Sequence, residues 1–125
     1  MERGPGGEAM QYIRMYAGDD GQTHFEDVQI ELSANGSSET SKLFNGAGII
    51  FRTSPADQLV DWHHAPRRQF VITLSGEAEV EGANGEKRHI GPGTILLAED
   101  LTGKGHITRG LGTQERVSLF IPLSD

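Results

Sequence analysis

Five histidines, His24, His63, His64, His89 and His106, are the side chains in this chain best suited to chemistry near neutral pH. Imidazole titrates at about 6.5 and serves there as base or acid. Two of them stand together in DWHHAPRRQFVITLSG, Asp61 to Gly76, a stretch that also holds Trp62, Arg67, Arg68 and Gln69. His106 sits in GKGHIT, preceded by Glu99, Asp100 and Lys104 as candidate general acids or bases that the sequence does not order. The catalytic set carried forward is His63, His106, His24 and Glu99. His24 shares strand parity with Val28, Ile30 and Leu32 and so has a route into the same pocket; a solvated strand end is the plainer alternative. Arg67 and Arg68 precede a central strand, where either suits bidentate binding of a substrate carboxylate. They join the aromatic residues Trp62 and Phe51 as the expected substrate-binding set. His89, between Arg88 and Ile90 beside a hairpin, reads as a solvated strand residue.

The elements that must position these groups are short and extended. Residues 1–9 read as a flexible tail, and residues 10–125 as one domain. Strands are expected at Gln11–Tyr16, Thr23–Leu32, Ala47–Thr53, Leu59–His64, Gln69–Leu74, Glu77–Glu81, Glu86–Ile90, Thr94–Ala98, Gly105–Arg109 and Glu115–Ile121. A polar loop is expected at Asn35–Ser41. Asn84-Gly85 predicts a type I′ hairpin turn, and Gly91-Pro92-Gly93 a second tight turn. In Gln69–Leu74, Gln69, Val71 and Thr73 share the inner face, leaving Phe70, Ile72 and Leu74 on the other. A strand apolar on both faces is covered on both, and a second copy of the chain is the expected cover, hence a homodimer. Glu77, Glu79 and Glu81 face water while Ala78 and Val80 face inward. No long helix is expected, and 17 glycines in 125 residues favour many turns over helix.

Bulk composition narrows the partners. Lys and Arg number 11 against 18 Asp and Glu, a formal charge of −7. That balance argues against nucleic acid and anionic membrane, which need a concentrated basic face. The absence of cysteine removes disulfides, thiolate metal sites and cysteine nucleophiles. MERGPGGEAM has no apolar stretch of signal-peptide length, and the expected location is cytoplasmic.

The stretch Asp61–Gly76 resembles the first motif of the cupins, in which two histidines two apart are followed by a glutamate and then a glycine. Gln69 stands at the glutamate position, with six residues between it and Gly76 as in the motif's spacing. Placing His63 first puts Ala65 second; placing His64 second puts Trp62 first. Gly91-Pro92-Gly93 and His106 resemble the second motif, with extra length in Glu99–Gly105. The resemblance implies an all-β, double-stranded β-helix (cupin, or jelly-roll, barrel) in a single domain. It also implies a divalent ion (Zn²⁺, Ni²⁺, Fe²⁺ or Mn²⁺) held by His63 or His64, Gln69 and His106, although an amide lacks the charge of the usual carboxylate. The expected function is an enzyme acting on a small molecule by isomerase-, cyclase- or lyase-type proton transfer in a histidine-lined pocket, with or without metal. The rival is a non-catalytic metabolite-binding cupin, a sensor or accessory protein.

Overall fold

A computed structural model of the chain describes residues 10–124, and the proposed tail at 1–9 lies outside them. Twelve strands form: β1 Gln11–Ala17, β2 Thr23–Gln29, β3 Ser33–Asn35, β4 Ser38–Thr40, β5 Ile50–Ser54, β6 Leu59–His63, β7 Gln69–Ser75, β8 Glu77–Gly82, β9 Lys87–Ile90, β10 Ile95–Glu99, β11 His106–Leu111 and β12 Arg116–Pro122. The expected polar loop at Asn35–Ser41 instead contains parts of a small exposed hairpin, β3–β4.

A six-stranded sheet runs in the order β2-β1-β10-β7-β12-β5, and a four-stranded sheet in the order β6-β11-β8-β9. Pairing is antiparallel except between β1 and β10. This is an all-β jelly-roll arrangement: two sheets, each with an apolar inner face, closing on a shared interior. Met15, Val71, Leu96 and Ala98 contribute to the core from the large sheet, and Ala78, Val80 and Ile90 from the small one. The β8 alternation follows the expected pattern, with Ala78 and Val80 buried between more exposed glutamates.

The β8–β9 turn differs from the expected type. Only Gly85 has positive φ (89°), and the Gly85 amide donates to the Gly82 carbonyl at 2.9 Å. Gly82 pairs with Glu86 through the Gly82 amide, which leaves a three-residue loop, Ala83–Gly85. That geometry is a type I turn followed by a left-handed glycine. Asn84 is not left-handed; its Oδ1 accepts from the Glu86 amide.

The second apolar face of β7 is covered largely within the chain. Phe70 makes edge-to-face contacts with Tyr12 and Phe44, at centroid distances of 5.4 and 5.5 Å. Leu74 is exposed beside a register shift between β7 and β12. Phe70 is thus covered within the chain, while Ile72 is half-buried beside it in an apolar groove shared with Ile95 and Ile121. Among the described residues no helix is long and apolar enough to cross a membrane.

Candidate functional site

The inner faces of the two sheets enclose a cavity of about 310 Å³, at the lower end of the range typical of small-molecule sites. Its apolar wall includes Met15, Val60, Val71, Val80, Ile90 and Leu96. Its polar groups are His63, His64, Gln69, His106, Thr108, Gln58, Arg52 and Arg116.

His63 enters the cavity because of a β-bulge. Along β11 the step from His106 to Thr108 covers two residues, while the partner step on β6, His63 to Val60, covers three. Without the extra residue, strict alternation from Val60 would turn Trp62 inward. With it, Val60 and His63 both line the cavity, and Trp62 faces out at 48% exposure. The His63 Nδ1–H donates to the Asp61 carbonyl at 2.7 Å, leaving Nε2 as the ring's acceptor. Burial, against the opposing effect of the Asp61 carbonyl, holds the His63 pKa below its ordinary value, and the charge of His106 adds to the depression.

His106 opens β11 and lies directly across from His63 in register; the two ring centroids are 4.3 Å apart at 58°. The close approach of their strands depends on Gly105, which has φ +77° and leaves no room for a Cβ beside the His63 carbonyl. His106 Nδ1 bonds Asp100 Oδ2 at 2.5 Å, and the same oxygen accepts from Thr23 Oγ at 2.8 Å. A carboxylate only accepts, so His106 carries its hydrogen on Nδ1 and leaves Nε2 as the free ring nitrogen. Asp100 is wholly buried and its Oδ1 has no partner among the described residues.

His64 also lines the cavity, but its Nε2–H is spent on the Gly103 carbonyl. The Gln69 side chain is buried against the cavity, and its Oε1 accepts from Arg67 at 3.2 Å. Several expected site residues lie elsewhere. His24 and Glu26 do share a face, but it is the outer one, because Thr23 and Phe25 are the buried pair of β2. The His24 ring rests on the Asp20 carboxylate at 2.9 Å. Glu99 also points outward, one position past the cavity-lining Ala98, and is gripped by Arg14 at 2.6 Å and by Arg68. Burial raises the Glu99 pKa, but its hydrogen bonds from Arg68 and Arg14 outweigh that and hold it below the usual value. Arg68 is thereby engaged outside the cavity, and Phe51 is 76% exposed.

Of the candidates Glu99, Asp100 and Lys104, it is Asp100 that joins the site, and two residues that the sequence reading did not single out, Arg52 and Arg116, complete it. Arg52 on β5 and Arg116 on β12 are diagonal neighbours on one sheet face, since Arg116 pairs with Ser54 and Ser118 with Arg52. The Arg116 residue is 8% exposed, and no hydrogen bond or ion pair engages it among the described residues. Burial, then the charge of Arg52, lowers its pKa. The sequence signal that marks it is weak, because in Arg116-Val117-Ser118-Leu119 the apolar positions are the ones expected inside.

The residues do not fit the divalent ion that the resemblance implies. No carboxylate lines the cavity, the Gln69 oxygen is turned to Arg67, and two guanidinium groups share the space. Among the described residues no group of three or more His, Asp or Glu side chains is placed to hold a metal ion.

Fold and cavity together define a single-domain, all-β jelly-roll barrel with a ligand-sized interior, the architecture that the cupin resemblance implies. No protein-family model and no curated protein sequence matches the chain. Among solved structures, it is similar to protein NMB1881 from Neisseria meningitidis, with 18% identity, 77% of this chain and 84% of that one covered, and a TM-score of 0.48. It is also similar to the SPY1581 protein of unknown function from Streptococcus pyogenes (16%, 68% and 72%, 0.46). An RmlC-like cupin protein from Desulfovibrio desulfuricans shows 22% identity over 74% of this chain and 79% of that one, with a TM-score of 0.44.

Proposed function

We propose that the barrel binds a small organic metabolite and moves a proton on it, in an isomerisation, cyclisation or elimination, with His106 as the proton carrier. The observation that carries this reading is the pairing of His106 Nδ1 with the buried carboxylate of Asp100 at 2.5 Å, on a ring that lines a partly open, largely apolar cavity. Asp100 fixes the tautomer and the ring plane, and Thr23 fixes Asp100. The free His106 Nε2 is then a neutral base that takes a proton from an acidified C–H and, as imidazolium, returns it to a neighbouring atom or leaving group. The Asp100 carboxylate stabilises that imidazolium without itself accepting the proton. His63, with its pKa depressed, is a neutral neighbour and does not oppose the charge forming on His106.

The test follows from the chemistry. A proton-transfer enzyme exchanges the labile hydrogen of its substrate with solvent, even where turnover is slow. Incubating the protein in D₂O with a library of keto acids, hydroxy acids and enolisable sugars, followed by NMR, is expected to show deuterium entering one class. His106→Gln is expected to slow that exchange by at least about 100-fold, the usual scale for removing a general base, with ligand binding retained. Binding without exchange in the wild type would leave the non-catalytic, metabolite-binding reading in possession.

A further inference from the structure

We infer that the ligand of this cavity is an organic acid whose carboxylate docks on Arg116, with Arg52 as the second guanidinium at the rim. The inference rests on the cavity being a ligand site, as proposed above, and adds the chemical class of the occupant.

Arg116 is buried, lines the cavity and has no anionic or hydrogen-bonding partner among the described residues. A guanidinium carries five donors and stays charged in proteins, so burial without a partner is costly. Other buried or half-buried charges of this chain are provided for: Glu99 has Arg14 and Arg68, and Asp100 has His106 and Thr23. Arg116 has the opposite, a second cation on the adjacent strand. Arg52 thus adds a like charge at the diagonal position instead of a counter-charge, and nothing acidic lines the cavity to offset the pair.

The strand faces around Arg116 repeat the pattern. Ser54 lies directly across from it, Ser118 follows it on the same inner face, and Thr73 pairs with Ser118. All three hydroxyls are buried without a hydrogen-bond partner among the described residues. Buried polar groups are ordinarily satisfied. None of the three lines the cavity itself, so the donors it offers beside them are the guanidinium groups of Arg116 and Arg52, set against apolar walls that include Val71, Val80 and Leu96. A carboxylate on a small hydrocarbon frame matches both features: bidentate pairing suits guanidinium, and the frame fills the space between Val71, Val80 and Leu96. Arg52 is exposed and its guanidinium lies over the Phe120 ring at 5.0 Å, which holds it at the rim.

Benzoate and benzamide are the probes, since they share size and shape and differ in charge. Titrations of the whole chain followed by ¹H–¹⁵N NMR are expected to shift amides of β5, β7 and β12, with benzoate binding at least roughly tenfold more tightly than benzamide. Arg116→Met is expected to reduce that preference to within about twofold while benzamide binding persists, and Arg52→Met to reduce it partly. Without ligand, Arg116→Met is expected to melt above the wild type, because it removes a buried cation that lacks a partner. Equal binding of both probes to the wild type overturns the acid inference and leaves the cavity a ligand site. Failure of both to reach the cavity overturns the ligand site as well. A lower melting temperature for Arg116→Met with unchanged benzoate preference assigns Arg116 to the fold and also overturns the inference.

Discussion

His63 shows how a single side chain is set by one backbone irregularity. The adjacent histidines and the tryptophan before them were visible in the sequence, but which of the three faces the interior was not. Alternation alone gives two registers, and the bulge on β6 turns His63 inward. The orienting carboxylate was ambiguous for a related reason. Glu99 and Asp100 are neighbours, and the outward turn after Ala98 sends Glu99 to Arg14 and Arg68 while Asp100 folds under His106. A pH dependence follows from the burial of His63. Its folded pKa lies below the unfolded value of about 6.5. Between those two values the unfolded chain binds more protons, so stability rises with pH across that window and levels off above it. His63→Phe keeps an aromatic ring but cannot titrate. Thermal melts from pH 5 to 7 are expected to fall less steeply toward acid in the variant than in the wild type. Parallel slopes for the two proteins would remove His63 as the source.

At the scale of elements, most strands were legible because period-two patterning and Gly, Pro and Asn punctuation act locally. The departures are those that depend on partners distant in sequence. Asn84-Gly85 carries the signature of a two-residue turn, yet pairing of Gly82 with Glu86 sets a three-residue loop. The inner face of β12 reads backwards, because Arg116 and Ser118 face the interior ahead of Val117 and Leu119. Hydrophobic patterning cannot anticipate an interior that is polar at one end. The β6–β11 junction gives a prediction at this scale. A Cβ on Gly105 would stand 2.3 Å from the His63 carbonyl oxygen, at a φ of +77° that a side chain disfavours. Both penalties fall on the backbone that brings His63 against His106. Gly105→Ala is expected to lose about 2–3 kcal/mol in urea unfolding and to disperse the ring contacts between the two histidines in NMR. A loss below about 0.5 kcal/mol, the level of an ordinary surface change, would mean the junction is looser than its contacts indicate.

Across the whole molecule, charge is sorted rather than spread. The chain carries −7, yet its carboxylates are disposed outside the cavity, where Arg14, Arg68, Arg88 and Arg109 meet Glu26, Glu99, Asp27, Glu79 and Glu81. The described arginines without a carboxylate partner are Arg52, Arg67 and Arg116; two line the cavity and the third donates to Gln69, which also lines it. The cavity lining is therefore cationic inside an anionic protein, with Asp100 buried behind His106 rather than facing the space. That arrangement decides between the two occupants that histidine-bearing barrels invite. A dication entering would meet two guanidinium groups and no carboxylate, with the Gln69 oxygen turned to Arg67, the His64 Nε2–H spent on Gly103 and only the Nε2 atoms of His63 and His106 left as ring acceptors, one short of the three protein ligands such sites ordinarily use. An anion would meet the charge it lacks. Protein prepared without a histidine tag is expected to hold less than about 0.1 equivalent of transition metal by elemental analysis. Zn²⁺, Ni²⁺, Fe²⁺ and Mn²⁺ are each expected to leave the melting temperature within about 1 °C, whereas millimolar benzoate raises it, because only a ligand that binds the native state stabilises it. Stoichiometric metal whose removal by chelator lowers the melting temperature would reverse this reading of the interior, and would require the guanidinium groups to turn away from the histidines when the ion is bound.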